Sequence, residues 1–153
     1  MPTQMTAQAG SSLVKHIDSL SSNEFLVEMD EVTIDGIFKV TGLSPFKLEV
    51  KTTSALKPVK DAFQIVKMVR RDPQHPVNVW LRESVNTKAD IVRPTRTLAI
   101  IAMDDTRETR RWLVKGAWIS GVGYSDFNTG SGELVEETLT IQWDDIETVW
   151  PEG

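Results

Sequence analysis

The chain has 153 residues, a length suited to one domain, with 17 Lys and Arg against 22 Asp and Glu and a formal net charge of -5. A pI near 5.1 argues against a general nucleic-acid coat, and a mean hydropathy of -0.22 with Leu98–Met103 as the longest apolar run excludes a membrane-spanning helix. With no cysteine, disulfides, thiolate metal sites and cysteine nucleophiles drop out together, while 40% hydrophobic residues suffice for a core.

The N-terminus, MPTQMTAQAGSSLVKHIDSL, lacks the charged-then-apolar order of a signal peptide, so synthesis and any assembly are expected in the cytoplasm. Residues 1–22 are rich in Ser, Thr, Gln and Ala and read as an arm, ordered if at all by a neighbouring subunit. Leu13, Val14, Ile17 and Leu20 are its apolar residues, and 13, 17 and 20 fall at helical spacing. The folded domain spans 23–153. Phe25, Val27 and Met29 alternate with Leu26, Glu28 and Asp30 in a first strand, and Thr33–Leu43 reads as a second, with Gly36 and Gly42 as kink or turn points.

The cleanest alternation follows. Phe46, Leu48 and Val50 lie on one side, and Lys47, Glu49, Lys51 and Thr53 on the other. A loop with Pro58 leads to a strand over Phe63–Arg71, so residues 45–71 are expected to form a long extended hairpin. Asp72–Pro76 breaks the chain and starts a helix, since proline is well tolerated at the first helical position. Val77, Trp80, Leu81 and Val85 form its apolar stripe, and it ends near Asn86.

Ile91–Met103, bent at or preceded by Pro94, is apolar on both faces through Leu98–Ala102 and is expected to be central. Asp104–Glu108 is a polar turn. The runs Arg110–Val114 and Ala117–Ile119 are β-prone, a loop of Gly, Ser, Asp and Asn follows, and Leu134–Trp143 is a last strand. There Val135, Leu139, Ile141 and Trp143 share one face, with Glu136, Thr138, Thr140 and Gln142 on the other. The expected class is mainly β, packed antiparallel sheets in a sandwich or barrel, with one short helix.

Charge is uneven along the chain. Lys39–Arg71 holds eight bases (Lys39, Lys47, Lys51, Lys57, Lys60, Lys67, Arg70, Arg71) against Glu49 and Asp61, whereas Glu133–Glu152 holds seven acids and no base. Solvated faces explain such blocks; so do subunits that meet head to tail.

Nothing converges as a catalytic centre. His16 and His75 fall in the arm and a breaker loop, where a surface role is expected, and neither has partners for a zinc site or a serine triad. Asp104-Asp105 and Asp144-Asp145 read as turn or surface acids. Gly121-Val122-Gly123 lacks the third glycine and following helix of a dinucleotide site. Arg110 and Arg111 beside Trp112, with Trp118 near, could form a stacking surface, but read better as core tryptophans with flanking contact arginines; Trp80 also reads as core. No metal, cofactor or enzymatic activity is expected.

Ordered pieces of the chain resemble the T4-type tail tube family, the inner tube of contractile phage tails and related injection systems. They are Phe25-Leu26-Val27-Glu28-Met29-Asp30, Val40-Thr41-Gly42-Leu43, the charged hairpin, the helix with Trp80-Leu81, the central apolar strand, and the ending RWLVKGAWISGVGY with ELVEETLTIQW. The resemblance spans roughly 24–146. Lys60-Asp61-Ala62-Phe63 and Met68–Arg71 depart from the family's usual tube-hairpin sequence, which leaves main tube, minor tube and baseplate initiator open.

The resemblance implies an Hcp/tail-tube-like fold in hexameric rings stacked into a hollow tube, strands from every subunit joining one closed barrel. Partners would be further copies, sheath, baseplate and tube-terminator proteins, with cargo in the lumen and no stable nucleic-acid or membrane binding. Channel-lining or ring-interface candidates are Lys47, Glu49, Lys51, Thr53, Lys60, Gln64 and Lys67; contact candidates are Arg70, Arg71, Arg110, Arg111, Glu133 and Glu136. Two other readings stay open: a tube-initiating baseplate subunit of the same fold, and a monomeric β-sandwich binding module that uses Trp112 and Trp118. An ordinary solvated hairpin would show the same alternation over 45–53.

Overall fold

β8, Arg107–Tyr124, organises the molecule, because its 18 residues belong to two sheet halves at once. The computed structural model describes residues 19–151; His16 and the apolar positions Leu13, Val14 and Ile17 of the expected arm lie outside the described residues. In chain order the strands are β1 Phe25–Met29, β2 Val32–Ile34, β3 Ile37–Thr41, β4 Leu48–Thr52, β5 Ala55–Pro58 and β6 Phe63–Met68. Then come helix α1 Pro76–Asn86, β7 Arg96–Asp104, β8, β9 Glu136–Gln142 and β10 Asp145–Val149.

The first half runs β2-β1-β7-β8 with β10 on the far side of β8; the second runs β8-β9-β6-β3, and every pairing is antiparallel. β8 pairs with β7 and β10 up to Ala117 and with β9 from Trp118 on. The change of direction is made at Gly116, whose φ of +66° suits a residue without Cβ. A Cβ built there would stand 2.8 Å from the Cβ of Asp144, one of the two residues between β9 and β10, whose N–H donates to the Lys115 carbonyl at 2.9 Å. The bend lets both halves face one another across a shared core.

That core takes Val27, Met29, Leu98, Ile100, Val114 and Ile146 from the first half, and Phe63, Ile65, Ile119, Leu139 and Ile141 from the second. Each such burial contributes roughly 1.5–3 kcal/mol against conformational entropy. Leu98–Ala102 is buried on both faces and β7 is central, as its unbroken apolar run requires. α1 closes one side through Val77 and Trp80, with the Trp80 indole N–H donating to the Pro94 carbonyl at 3.0 Å. Buried Ser84 is satisfied by donating to the Trp80 carbonyl, so tryptophan and serine share that face. Val85, expected on the stripe, is exposed, because it lies roughly a quarter-turn from the stripe's centre at 3.6 residues per turn.

Four expectations change. Leu134–Trp143 does not hold the last strand, since β10 follows and pairs with β8. Thr33–Leu43 is two strands, because Gly36 turns the chain at φ +85° and sends β2 and β3 to different halves. The 45–71 hairpin is not one unit. β4 and β5 form a small separate hairpin, while β6 is inserted between β3 and β9, since Phe63, Ile65, Val66 and Lys67 are buried on both faces. His75 is half-buried and does more than face solvent. It caps α1, its Nδ1 accepting from the Val77 N–H at 3.3 Å while Nε2 meets Asp35 at 3.1 Å.

Candidate assembly interface

The second half has two free edges among the described residues. β3 is hydrogen-bonded only to β6, and β8 from Trp118 to Tyr124 only to β9. Unpaired strand edges invite further strands. The outer face between them is polar. Register places Lys39 and Thr41 of β3, Gln64 of β6, and Thr138, Thr140 and Gln142 of β9 together on it. Ser120 of β8 joins them by accepting from the Gln142 amide at 3.2 Å. All are exposed or half-exposed, and the same register adds three apolar residues to the face, Val66, Met68 and, opposite Gln142, Trp118.

A second surface is the β4–β5 hairpin, which is hydrogen-bonded to no strand of the main sheet. Val50 pairs across to Leu56 and Glu49 to Lys57, so one side is apolar and the other charged. Phe46, Val50 and Leu56 are 79%, 70% and 59% exposed, a run of large apolar side chains that stands open among the described residues.

The candidate residues scatter across these surfaces. Lys47, Glu49 and Lys51 sit on the hairpin and Thr53 in its turn, Lys47 paired with Asp61 and Lys51 with Glu49, both at 3.0 Å. Lys60, in the following loop, lies 3.5 Å from Asp144. Gln64 is on the polar sheet face. Lys67 is a correction: it is 0% exposed, points into the core and binds Glu137 at 2.9 Å, so it cannot line a channel. It faces inward because β6 is a central strand and Lys67 stands opposite Glu137 in the β6–β9 register.

Among the arginines, Arg70 pairs with Asp35 at 2.6 Å. Arg111 is held by Glu28 at 3.2 Å and Glu108 at 2.8 Å, which assigns it to the subunit's own outer face. Arg110 stacks 3.9 Å over the Trp150 ring. Arg71, Glu133 and Glu136 are exposed. Sequence reading passed over two pieces of this arrangement. Glu137 has the same odd-numbered parity as Leu139 and Ile141, which was the signal for its burial; the neutral row of Thr and Gln on β9 was visible, but its continuation onto β3 and β8 was not.

The remaining chemistry is modest. The Glu24, Asp104 and Asp105 carboxylates come within 4.8 Å of one another at an exposed turn, where the Asp105 N–H donates to Glu24 at 3.2 Å. Turn closure accounts for that grouping. Tyr124 has its phenol pushed up by burial and by its hydrogen bond to Glu137.

A family model for the T4-like virus tail tube protein gp19 matches residues 64–147, from β6 into β10 and more than half of the chain. The chain belongs to this family. It is a structural tail tube protein. The tail tube fold is also seen in solved structures. The tube and sheath complex of the PVC extracellular contractile injection system in its extended state contains a chain that superposes with a TM-score of 0.69 at 14% identity, over 92% of this chain and 97% of that one. A chain in the structure of the PVC sheath/tube terminator in its extended state gives 0.66 at 14% identity, over 86% and 96%. Hcp1 from Flavobacterium johnsoniae gives 0.55 at 9% identity, over 85% and 98%. At these identities the likeness is one of fold. No curated protein matches the sequence. Among the described residues of the tail tube protein, no helix is long and apolar enough to cross a membrane.

Proposed function

We propose that six copies of this tail tube protein join through the two free edges of the half-sheet β8-β9-β6-β3, and that the rings stack into a hollow tube. The observation that carries this reading is the pairing of two open edges with a polar face between them. Edge-to-edge closure satisfies the orphan backbone groups, and a ring of such sheets leaves a polar inner wall. Lys39, Thr41, Gln64, Ser120, Thr138, Thr140 and Gln142 would line it. The apolar side of the β4–β5 hairpin would be covered by an adjoining copy, contributing the desolvation that strand pairing lacks.

In this reading the subunit is assembled after cytoplasmic synthesis and works without catalysis or cofactor. The tube sits inside a sheath on a baseplate, is capped by a terminator, and conducts cargo when driven through a target envelope. Charge blocks play a reduced part, since Lys47, Lys51, Lys60, Lys67 and Arg70 are neutralised within the subunit. Electron microscopy of the purified full chain at high concentration tests the reading. Six-fold rings or hollow tubes are the expected result, and monomers at every concentration would overturn it.

A further inference from the structure

The two free edges of the half-sheet β8-β9-β6-β3 each carry an apolar feature, and both lie at the same end. On the β8 edge, the segment 87–95 between α1 and β7 stands beside Trp118, Ile119 and Ser120 and forms with them a cleft of about 580 Å³, open among the described residues. Ile91, which lines it, is 93% exposed. The cleft is braced from within the subunit. Arg93 donates to the carbonyls of Lys88 and, at 2.8 Å, Ser84, and its guanidinium stands 5.9 Å from the Trp118 ring. The Val92 N–H donates to the Asp90 carboxylate at 3.1 Å. A partner meeting this surface has little of it to order.

On the β3 edge the matching feature is Phe46, which follows β3 and leads into the β4–β5 hairpin. Register sets its height. Trp118 pairs with Gln142 and Phe63 with Ile141, so Trp118 is level with Ala62 and next to the level of Asp61. Lys47 binds Asp61 at 3.0 Å, which holds Phe46 near that height. Direction agrees as well. Three antiparallel steps separate β3 from β8, so a β3 laid on another copy's β8 edge is antiparallel to it, with the end that leads to Phe46 pointing toward Trp118. Within one copy the two edges are about 14 Å apart, three strand spacings of about 4.8 Å, which keeps a subunit from filling its own cleft.

We propose that Phe46 of one copy seats in the cleft formed by Ile91, Arg93, Trp118 and Ile119 of its lateral neighbour in the ring. This contact rests on the edge-to-edge closure proposed above and adds the side-chain anchor that closure lacks. Backbone pairing along the edges satisfies orphan donors and acceptors, whereas a phenyl ring entering a braced, largely apolar pocket contributes desolvation and fixes how far the edges slide. Aromatic anchors in such pockets carry much of the binding energy of protein interfaces. The root of the hairpin thereby belongs to the contact within a ring.

The cysteine-free chain gives a direct test. Phe46→Cys with Ile91→Cys changes two exposed positions of the full chain, and the assembled protein is treated with a short bismaleimide cross-linker. The expected result is a ladder on a denaturing gel that stops at six subunits, since lateral links close on themselves. Phe46→Cys with Phe127→Cys should stay unlinked, because Phe127 follows Tyr124 at the opposite end of the half-sheet. A ladder running past six, or linkage of the 46–127 pair, would overturn the proposal in favour of contact between stacked rings. Rings seen by electron microscopy without 46–91 linkage would overturn it and leave ring closure standing; monomers at every concentration would overturn both. Phe46→Ala should raise the protein concentration at which half the subunits are in rings by about tenfold, equivalent to 1.4 kcal/mol. An unchanged midpoint would also overturn the proposal.

Discussion

Replacing Lys67 by methionine would leave the Glu137 carboxylate, 2% exposed, without its cation. In the folded subunit the ammonium and carboxylate lie 2.9 Å apart on neighbouring strands, with the lysine 0% exposed. Neither charge has water to fall back on. Removing one partner of a buried pair costs about 3–5 kcal/mol, most of it the desolvation of the charge left behind. At an unfolding entropy near 2.1 cal/mol/K per residue, the 133 residues from 19 to 151 convert that loss to a fall in Tm of roughly 11–18 °C. Lys67→Met with Glu137→Leu removes both charges and fills the space with apolar atoms, so most of the loss should return. Thermal unfolding followed by circular dichroism, with calorimetry to verify two-state behaviour, measures both variants. A fall below about 4 °C for the single variant, near 1 kcal/mol, would refute the reasoning. So would a double variant no more stable than the single, which would place the cost in packing and not in charge.

Gly116→Ala should destabilise by about 1–3 kcal/mol, because alanine is strained at φ +66° and its Cβ meets Asp144 at 2.8 Å; an unchanged denaturant midpoint would refute the bend's dependence on glycine. The Arg111 hydrogen bond holds the Glu108 carboxyl below its ordinary value of 4.5. A lowered folded pKa gives stability that is complete above that ordinary value and is lost as pH falls through the folded one. The Tm gap between wild type and Glu108→Gln should therefore be steady near neutrality and close as pH drops below about 4.5; a gap that widens in acid would contradict this. Val50→Lys with Leu56→Glu should leave Tm within about 2 °C of wild type, since surface changes fall within ±0.5 kcal/mol, yet abolish rings seen by electron microscopy. Intact rings would remove the hairpin from the interface.

Much of the chain was readable because burial in a sheet follows a two-residue period. β7 announced itself as central through an unbroken apolar run, and α1 through Pro76 and the Val77–Trp80 spacing. The hairpin at 48–58 was legible as an alternation, but not as a separate piece. Its apolar residues look the same in sequence whether they enter a core or stand exposed, as Val50 and Leu56 do. Lys67 failed for the complementary reason. A lysine in a strand signals a wet face unless its partner is known, and Glu137 stands seventy positions away.

The sequence by itself determined the alternation within most strands, the one helix defended from it, the absence of thiol chemistry and the tail tube resemblance, because these depend on neighbours along the chain. Only the tertiary structure decided that β8 serves two sheet halves through a bend at Gly116, that Lys67 and Glu137 meet inside, and that β3 and the end of β8 have free edges. Those outcomes rest on which distant strands share hydrogen bonds, and cross-strand partnership is set by the packing of the whole core and not by the period of any one segment.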